Sequence, residues 1–184
     1  CSAGDGGSPG HCSFALPTPT PTPILPTSWL PVTAPAALQI EEFAYLGSGD
    51  EFVAIHNAGG QPVNLEGWHI GDAQQPDSGE GIYQLPAGVT LAPGELFVIA
   101  RDATAFQLRY GRQPMAEFED ADPTVPTLAR RADLAGGRLA LDDGGDEIVL
   151  LDSTLQLADA IAYGNGDYPV VGLTGPLRTP TGLS

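Results

Sequence analysis

Three histidines, two cysteines and 23 acidic side chains carry the chemical potential of this 184-residue chain. Their spacing decides what chemistry they support. His11, His56 and His69 are scattered and show no metal-ligand spacing, and no Cys/His cluster accompanies them. His56 and His69 could meet across neighbouring strands, but a solvated pair is the simpler reading. Asp142, Asp143, Asp146 and Glu147 crowd several carboxylates into one Gly-containing turn, a composition that suits Ca²⁺. They match no EF-hand loop, and an acidic hairpin tip needs no ion, so they stand only as weak metal candidates. Glu117, Glu119, Asp120 and Asp122 form a second acidic cluster and are judged the same way. Nucleophilic catalysis has less support still. Cys1 and Cys12 fall outside the expected folded part, and neither a Gly-x-Ser-x-Gly elbow nor a phosphate-cradling Gly loop is present. Nothing singles out one carboxylate pair as an acid/base dyad. The sequence predicts no enzyme and no cofactor.

Charge narrows the partner classes. The chain has 23 acidic residues against 7 basic ones, a net charge of −16, and every base is an arginine. Such a surface repels phosphate backbones and anionic lipid, which argues against nucleic acid as a partner. No apolar run approaches the roughly 18 residues that a membrane span requires. Any membrane association would then run through Cys1. That cysteine, followed by Ser2, Ala3 and Gly4, resembles the mature end of a bacterial lipoprotein, where the cysteine is acylated. A Cys1–Cys12 disulfide and a pair of idle thiols are the other readings. The first two place the protein outside the cytoplasm, either secreted or anchored at the cell surface.

The elements that must position any site are short and β-rich. Eighteen Pro and 24 Gly suit a β protein with many turns rather than a helical bundle. Residues 1–37 read as a disordered linker, Gly/Ser-rich at first and then alternating Pro with Thr at Pro17, Pro19, Pro21 and Pro23. An extended polyproline-like tract of that kind spans about 3.1 Å per residue and makes a spacer. Trp29 and Leu30 are expected to fold back onto the edge of the domain. The domain itself is expected at residues 38–166. It opens with apolar runs at Ile40–Tyr45, Phe52–His56 and Trp68–Ile70, separated by turn residues. Alternation places Val53 and Ile55 on one face of the second run, and predicts Trp68 inward and His69 outward. Three more strands are expected around Tyr83, Val89 and Phe97. One helix follows, with Asp102 as its N-cap, Phe106 and Tyr110 on one face and Gly111 as its stop. Residues 112–137 read as an excursion over the surface. Leu139 and Leu141 should then pair with Ile148 and Leu150 across the Asp142–Asp146 turn, before a last strand near Leu157–Tyr163. Residues 167–184 read as a Gly/Pro-rich tail or a shortened last edge strand. About eight or nine short strands with regular turns indicate an all-β sandwich with one short helix.

Five pieces in order carry a family resemblance. They are IEEF at Ile40–Phe43, FVAIHN ending at Asn57, LEGWHI at Leu65–Ile70, the run YQLPAGVTLAPGELFVIA, and GGRLALDDGGDEIVLLD followed by ADAIAYG. Together they resemble the lamin-tail domain family, and the resemblance covers roughly residues 38–166. It implies an immunoglobulin-like β-sandwich and a role in binding rather than catalysis. The expected function is a non-enzymatic, extracytoplasmic interaction module for an unknown protein or cell-surface component, with an exposed sheet edge as the suspected contact. The alternatives are the accessory front part of a larger secreted phosphodiesterase or nuclease, and a Ca²⁺- or glycan-binding module.

Overall fold

The computed structural model describes residues 37–47, 49–72 and 79–166. The expectations for Cys1, His11 and Cys12, for the Pro/Thr tract with Trp29 and Leu30, and for residues 167–184 lie outside the described residues. In chain order the elements are β1 (Leu38–Ala44), β2 (Phe52–Asn57), β3 (Val63–Asn64), β4 (His69–Gly71), β5 (Ile82–Gln84), β6 (Thr90–Leu91), β7 (Leu96–Ala100), α1 (Ala103–Tyr110), β8 (Ala116–Glu117), β9 (Ala129–Arg130), β10 (Gly145–Leu151) and β11 (Leu157–Gly164). One sheet has the order β1-β2-β7-β8, a second β11-β10-β4-β5-β9, and β3 pairs with β6 alone. This is the immunoglobulin-like β-sandwich with one short helix. No helix among the described residues is long and apolar enough to cross a membrane.

Between the sheets lies the main core, in which Ile40, Val53, Ile55, Ile70, Ile99, Ile148 and Leu150 are fully buried. Strand β1 shows how the sequence feeds it. Leu38 and Ile40 point inward on one parity and Phe43 on the other, because the pairing with β2 shifts between Ile40 and Glu42. A bulge of this kind inserts one residue and reverses the alternation beyond it, leaving Glu41 and Glu42 directed away from the core. Where β1 and β11 meet, the Ile40 N–H donates to Asp159 Oδ2 at 2.9 Å and ties the two sheets together.

Both outer faces are covered as well, so several strands are apolar on both sides. Helix α1 lies on the first sheet, with Phe106 against Phe52, Ala54, Val98 and Ala100. Its ends follow their sequence signals. Asp102 Oδ1 accepts from the Ala105 N–H at 2.9 Å, and Gly111 takes a left-handed φ of 69° that a side chain would resist. Over the second sheet runs an irregular strap, residues 131–137, whose Leu134 and Ala135 bury against Ile82, Val149, Leu151 and Ala160.

Three local expectations fail, each for a tertiary reason. Residues 112–137 do not simply run over the surface: they supply β8 and β9 and bury Ala116, Phe118 and Leu128 in the main core. His69 does not face outward into solvent. It is 3 % exposed, because the strap covers its side of the sheet, while Trp68 is only half-buried at the core margin. Leu139 and Leu141 are buried in the core as expected, yet residues 138–141 form no strand. The Ala140 N–H turns to Asp72 Oδ2 at 3.4 Å, and β10 pairs instead with β11 and β4.

Candidate functional site

The acidic turn spends its carboxylates on its own backbone. Asp142 Oδ1 accepts from the Gly144 N–H at 2.7 Å, and Asp146 accepts from the N–H groups of Asp142 at 3.2 Å and Glu147 at 2.9 Å. Burial pushes the Asp146 carboxyl up, while the two backbone donors and the Asp142 charge act with and against it in smaller measure. Asp143 is exposed beside them. Among the described residues no three His, Cys, Asp or Glu side chains converge as a metal-sized group.

The second acidic cluster separates into different roles. Glu117 is wholly buried and accepts three backbone N–H bonds, from Ala103 at 2.8 Å and from Ala121 and Asp122 at 3.0 Å each. It joins the first turn of α1 to the excursion that follows β8, which is structural work. Glu119 Oε1 accepts from Arg101 Nε at 3.0 Å, and Arg101 also reaches the buried Glu51 at 3.1 Å. Asp120 accepts from the Thr127 hydroxyl at 3.1 Å. Asp122 is held below its usual range by the Thr124 backbone N–H and hydroxyl. A cavity under Arg101 measures only about 10 Å³, room for a water at most.

His56 and His69 sit in different sheets and are not strand neighbours. His56 Nδ1 lies 3.4 Å from Glu41 Oε2 at the surface. His69 Nε2 lies 2.7 Å from Arg131 Nη1. A guanidinium only donates, so Nε2 accepts and the ring proton resides on Nδ1. That nitrogen is buried, and among the described residues no acceptor meets it in good hydrogen-bond geometry. Burial and then the Arg131 charge hold His69 below its ordinary pKa, against the pull of Asp133 and the Gly67 backbone. Arg131 in turn grips Asp133 through Nε at 2.8 Å and Nη2 at 2.7 Å, which brings the Asp133 carboxyl down to about 2. A neutral, enclosed imidazole facing a guanidinium fastens the strap.

The feature most suited to a partner is an edge. Val98 O accepts from the Met115 N–H at 2.8 Å, and Ala100 O from the Phe118 N–H at 3.0 Å. Val98 and Ala100 thus direct their backbone groups away from β2. By the two-residue period of a strand Leu96 does the same, just past the start of β8. The Val98 N–H donates to Met115 Sδ at 3.2 Å, and a thioether is a weak acceptor. Beside this edge lies an open groove of about 590 Å³ lined by Val89, Leu91, Leu96, Phe97 and Met115, with Glu95 its charged residue. Met115 is 49 % exposed. The edge suspected from the sequence is one left open if the final strand is missing; residues 167–184 lie outside the described residues, and the β7 edge is a different one. The signal available was the single methionine placed directly after Pro114, a residue that delays the next strand.

The family model of the Lamin Tail Domain matches residues 31–165. Among solved structures, a DUF4876 family protein from Bacteroides thetaiotaomicron is similar with a TM-score of 0.51 and 17 % sequence identity. The alignment covers 64 % of this chain and 42 % of that one, so this chain spans less than half of that protein. At such identity the likeness is one of fold. No curated protein matches the chain.

Proposed function

The chain belongs to the lamin tail domain family, and from that premise we propose that it is a non-enzymatic interaction module acting outside the cytoplasm. Its contact would be the β7 edge and the apolar groove beside it. The observation that carries this reading is the Val98 N–H, which donates to the Met115 sulfur at 3.2 Å rather than to a carbonyl. An incoming extended segment offers a carbonyl in place of that sulfur and apolar side chains for Leu91, Leu96 and Phe97, which is the logic of strand addition. The partner is a protein or cell-surface component with an extended, apolar segment. Composition supports the setting, since a Pro/Thr-rich tract reads as a spacer and Cys1 as a candidate for acylation.

The test is peptide selection against the full chain, followed by amide NMR. Selected peptides should be extended, alternate apolar residues, and move the Leu96 and Val98 amide signals. Met115→Glu should weaken them by about tenfold or more, since it buries a charge in the contact. Peptides that bind away from β7, or turnover of phosphodiester or ester substrates by the chain, would overturn the reading. Mass spectrometry of the native N-terminus checks the anchor: the expected mass carries acyl chains on Cys1, and a Cys1–Cys12 bridge would refute acylation.

A further inference from the structure

In so acidic a chain, arginines without acidic partners call for an explanation. Among the described residues Arg101, Arg109 and Arg131 face carboxylates, and Arg112 lies 6.0 Å from the Phe106 ring centroid. Arg130 and Arg138 form no ion pair among the described residues, yet both line one open groove of about 330 Å³ together with Tyr83, Phe118, Thr127 and Asp120. That volume sits at the small end of the range for ligand sites.

Both cations are tied to one piece of backbone. Arg130 Nη1 donates to Gly136 O at 3.1 Å and to Gly137 O at 2.9 Å, and Arg138 is the next residue along. This segment runs against residues 79–81, with the Gly137 N–H on Glu80 O at 2.7 Å. The approach is too close for side chains: a Cβ on Gly137 would lie 1.6 Å from Gly79 O, and one on Gly81 2.2 Å from Leu139 N. Glycine at both positions therefore sets where the Arg138 side chain starts. Burial raises the pKa of the Tyr83 hydroxyl, and the charges of Arg138 and Arg130 act against that rise.

We propose that the Arg130–Arg138 groove binds a carboxylate presented by an acidic side chain of a partner protein. The reading rests on the interaction role above but uses different residues. A guanidinium fork matches a planar carboxylate through two parallel hydrogen bonds. A long polyanion is repelled by the net charge of −16, and Glu119 and Asp120 on the same groove weigh against a dianion such as phosphate. A sugar acid lacks the open ring it would stack on. Tyr83 and Phe118 are 4 % and 7 % exposed and pack edge to face with centroids 4.9 Å apart.

The experiment is a titration of the full chain with N-acetyl-aspartate amide, followed by the Nε signals of Arg130 and Arg138. Saturable shifts are expected at millimolar-range affinity, with the neutral N-acetyl-asparagine amide about tenfold weaker or absent. Arg138→Gln should abolish the response, and because the Arg138 side chain holds no hydrogen bond or ion pair among the described residues it tests the site with little disturbance of the fold. Arg130→Gln should do the same, with its amide spectrum checking that the strap remains in place. Inorganic phosphate and galacturonate form the control arms. Equal binding of the neutral isostere, tighter binding of phosphate, binding of galacturonate alone, or no saturable shift would each overturn the proposal. Met115→Glu should leave this titration unchanged, so failure here and failure at the β7 edge are separable.

Discussion

The two sheets of this sandwich are covered on their outer faces by very different means. The first wears a helix whose stability signals are local, with an N-cap, a glycine stop and an aromatic stripe. The second wears a strap without regular structure, fastened by a buried histidine that accepts from Arg131 and by backbone bonds such as Arg131 N–H to Ile82 O at 2.7 Å. The helix draws on aromatic packing, with the carboxylates of Asp102 and Glu117 on its first turn. The strap depends on His69 staying neutral. Near neutral pH one cover therefore answers to the protonation of a histidine and the other does not.

The largest effect should come from emptying the helix side. Phe106 has no exposure and stacks edge to face on Phe52 at 5.4 Å. Phe106→Ala should cost about 3–5 kcal/mol, read as a lowered urea midpoint. Glu117→Gln comes next. It replaces an acceptor of three N–H bonds with a group that can turn a donor toward them, and should cost about 2 kcal/mol in the same assay. Asp102→Ala, which removes only the cap, should cost about 1 kcal/mol and leave the strap untouched.

The smallest effect tests the contrast most directly. The folded pKa of His69 lies below its unfolded value of 6.5, so between the two the unfolded chain binds more protons. Stability from this residue is complete above pH 6.5 and is lost as pH falls below that value toward the folded pKa. The raised carboxyls of Glu80 and Asp146, pushed up mainly by burial, act in the opposite direction as they take up protons. Comparing the parent with His69→Gln cancels them. The variant keeps an acceptor for Arg131 and should flatten the pH dependence between neutral and mildly acid conditions. An unchanged pH profile would show that the strap does not rest on this imidazole. Hydrogen-exchange protection at Leu134 and Ala135, corrected for the intrinsic pH dependence of exchange, should fall on mild acidification in the parent by more than protection in α1.

This same contrast separates what could be read early from what could not. The helix was legible from Asp102 to Gly111 because its signals are encoded within one stretch of chain. Most strands were legible too, since turn glycines and prolines bracket them and alternation marks their inward residues. The strap was not, and it misled the reading of His69. Period-two alternation says which residues share a face, but not what covers that face. The weak metal candidates Asp142, Asp143, Asp146 and Glu147 looked alike in the sequence. Only the tertiary structure distinguishes acids that accept from the turn's own backbone, Asp142 and Asp146, from the exposed Asp143. Likewise nothing in the order of residues announced that Arg130 and Arg138 line one groove, or that Val98 meets the sulfur of Met115.

By itself the sequence determined the class of fold, the single helix and the acidity that disfavours polyanionic partners, because these follow from local geometry, composition and net charge; the family was legible only as a resemblance carried by five pieces in order. The tertiary structure decided which faces are buried, which carboxylates serve the backbone, and where the open edge and the paired arginines lie. Those depend on contacts between residues far apart in the chain, such as His69 with Arg131 and Gly81 with Leu139, which no local pattern records.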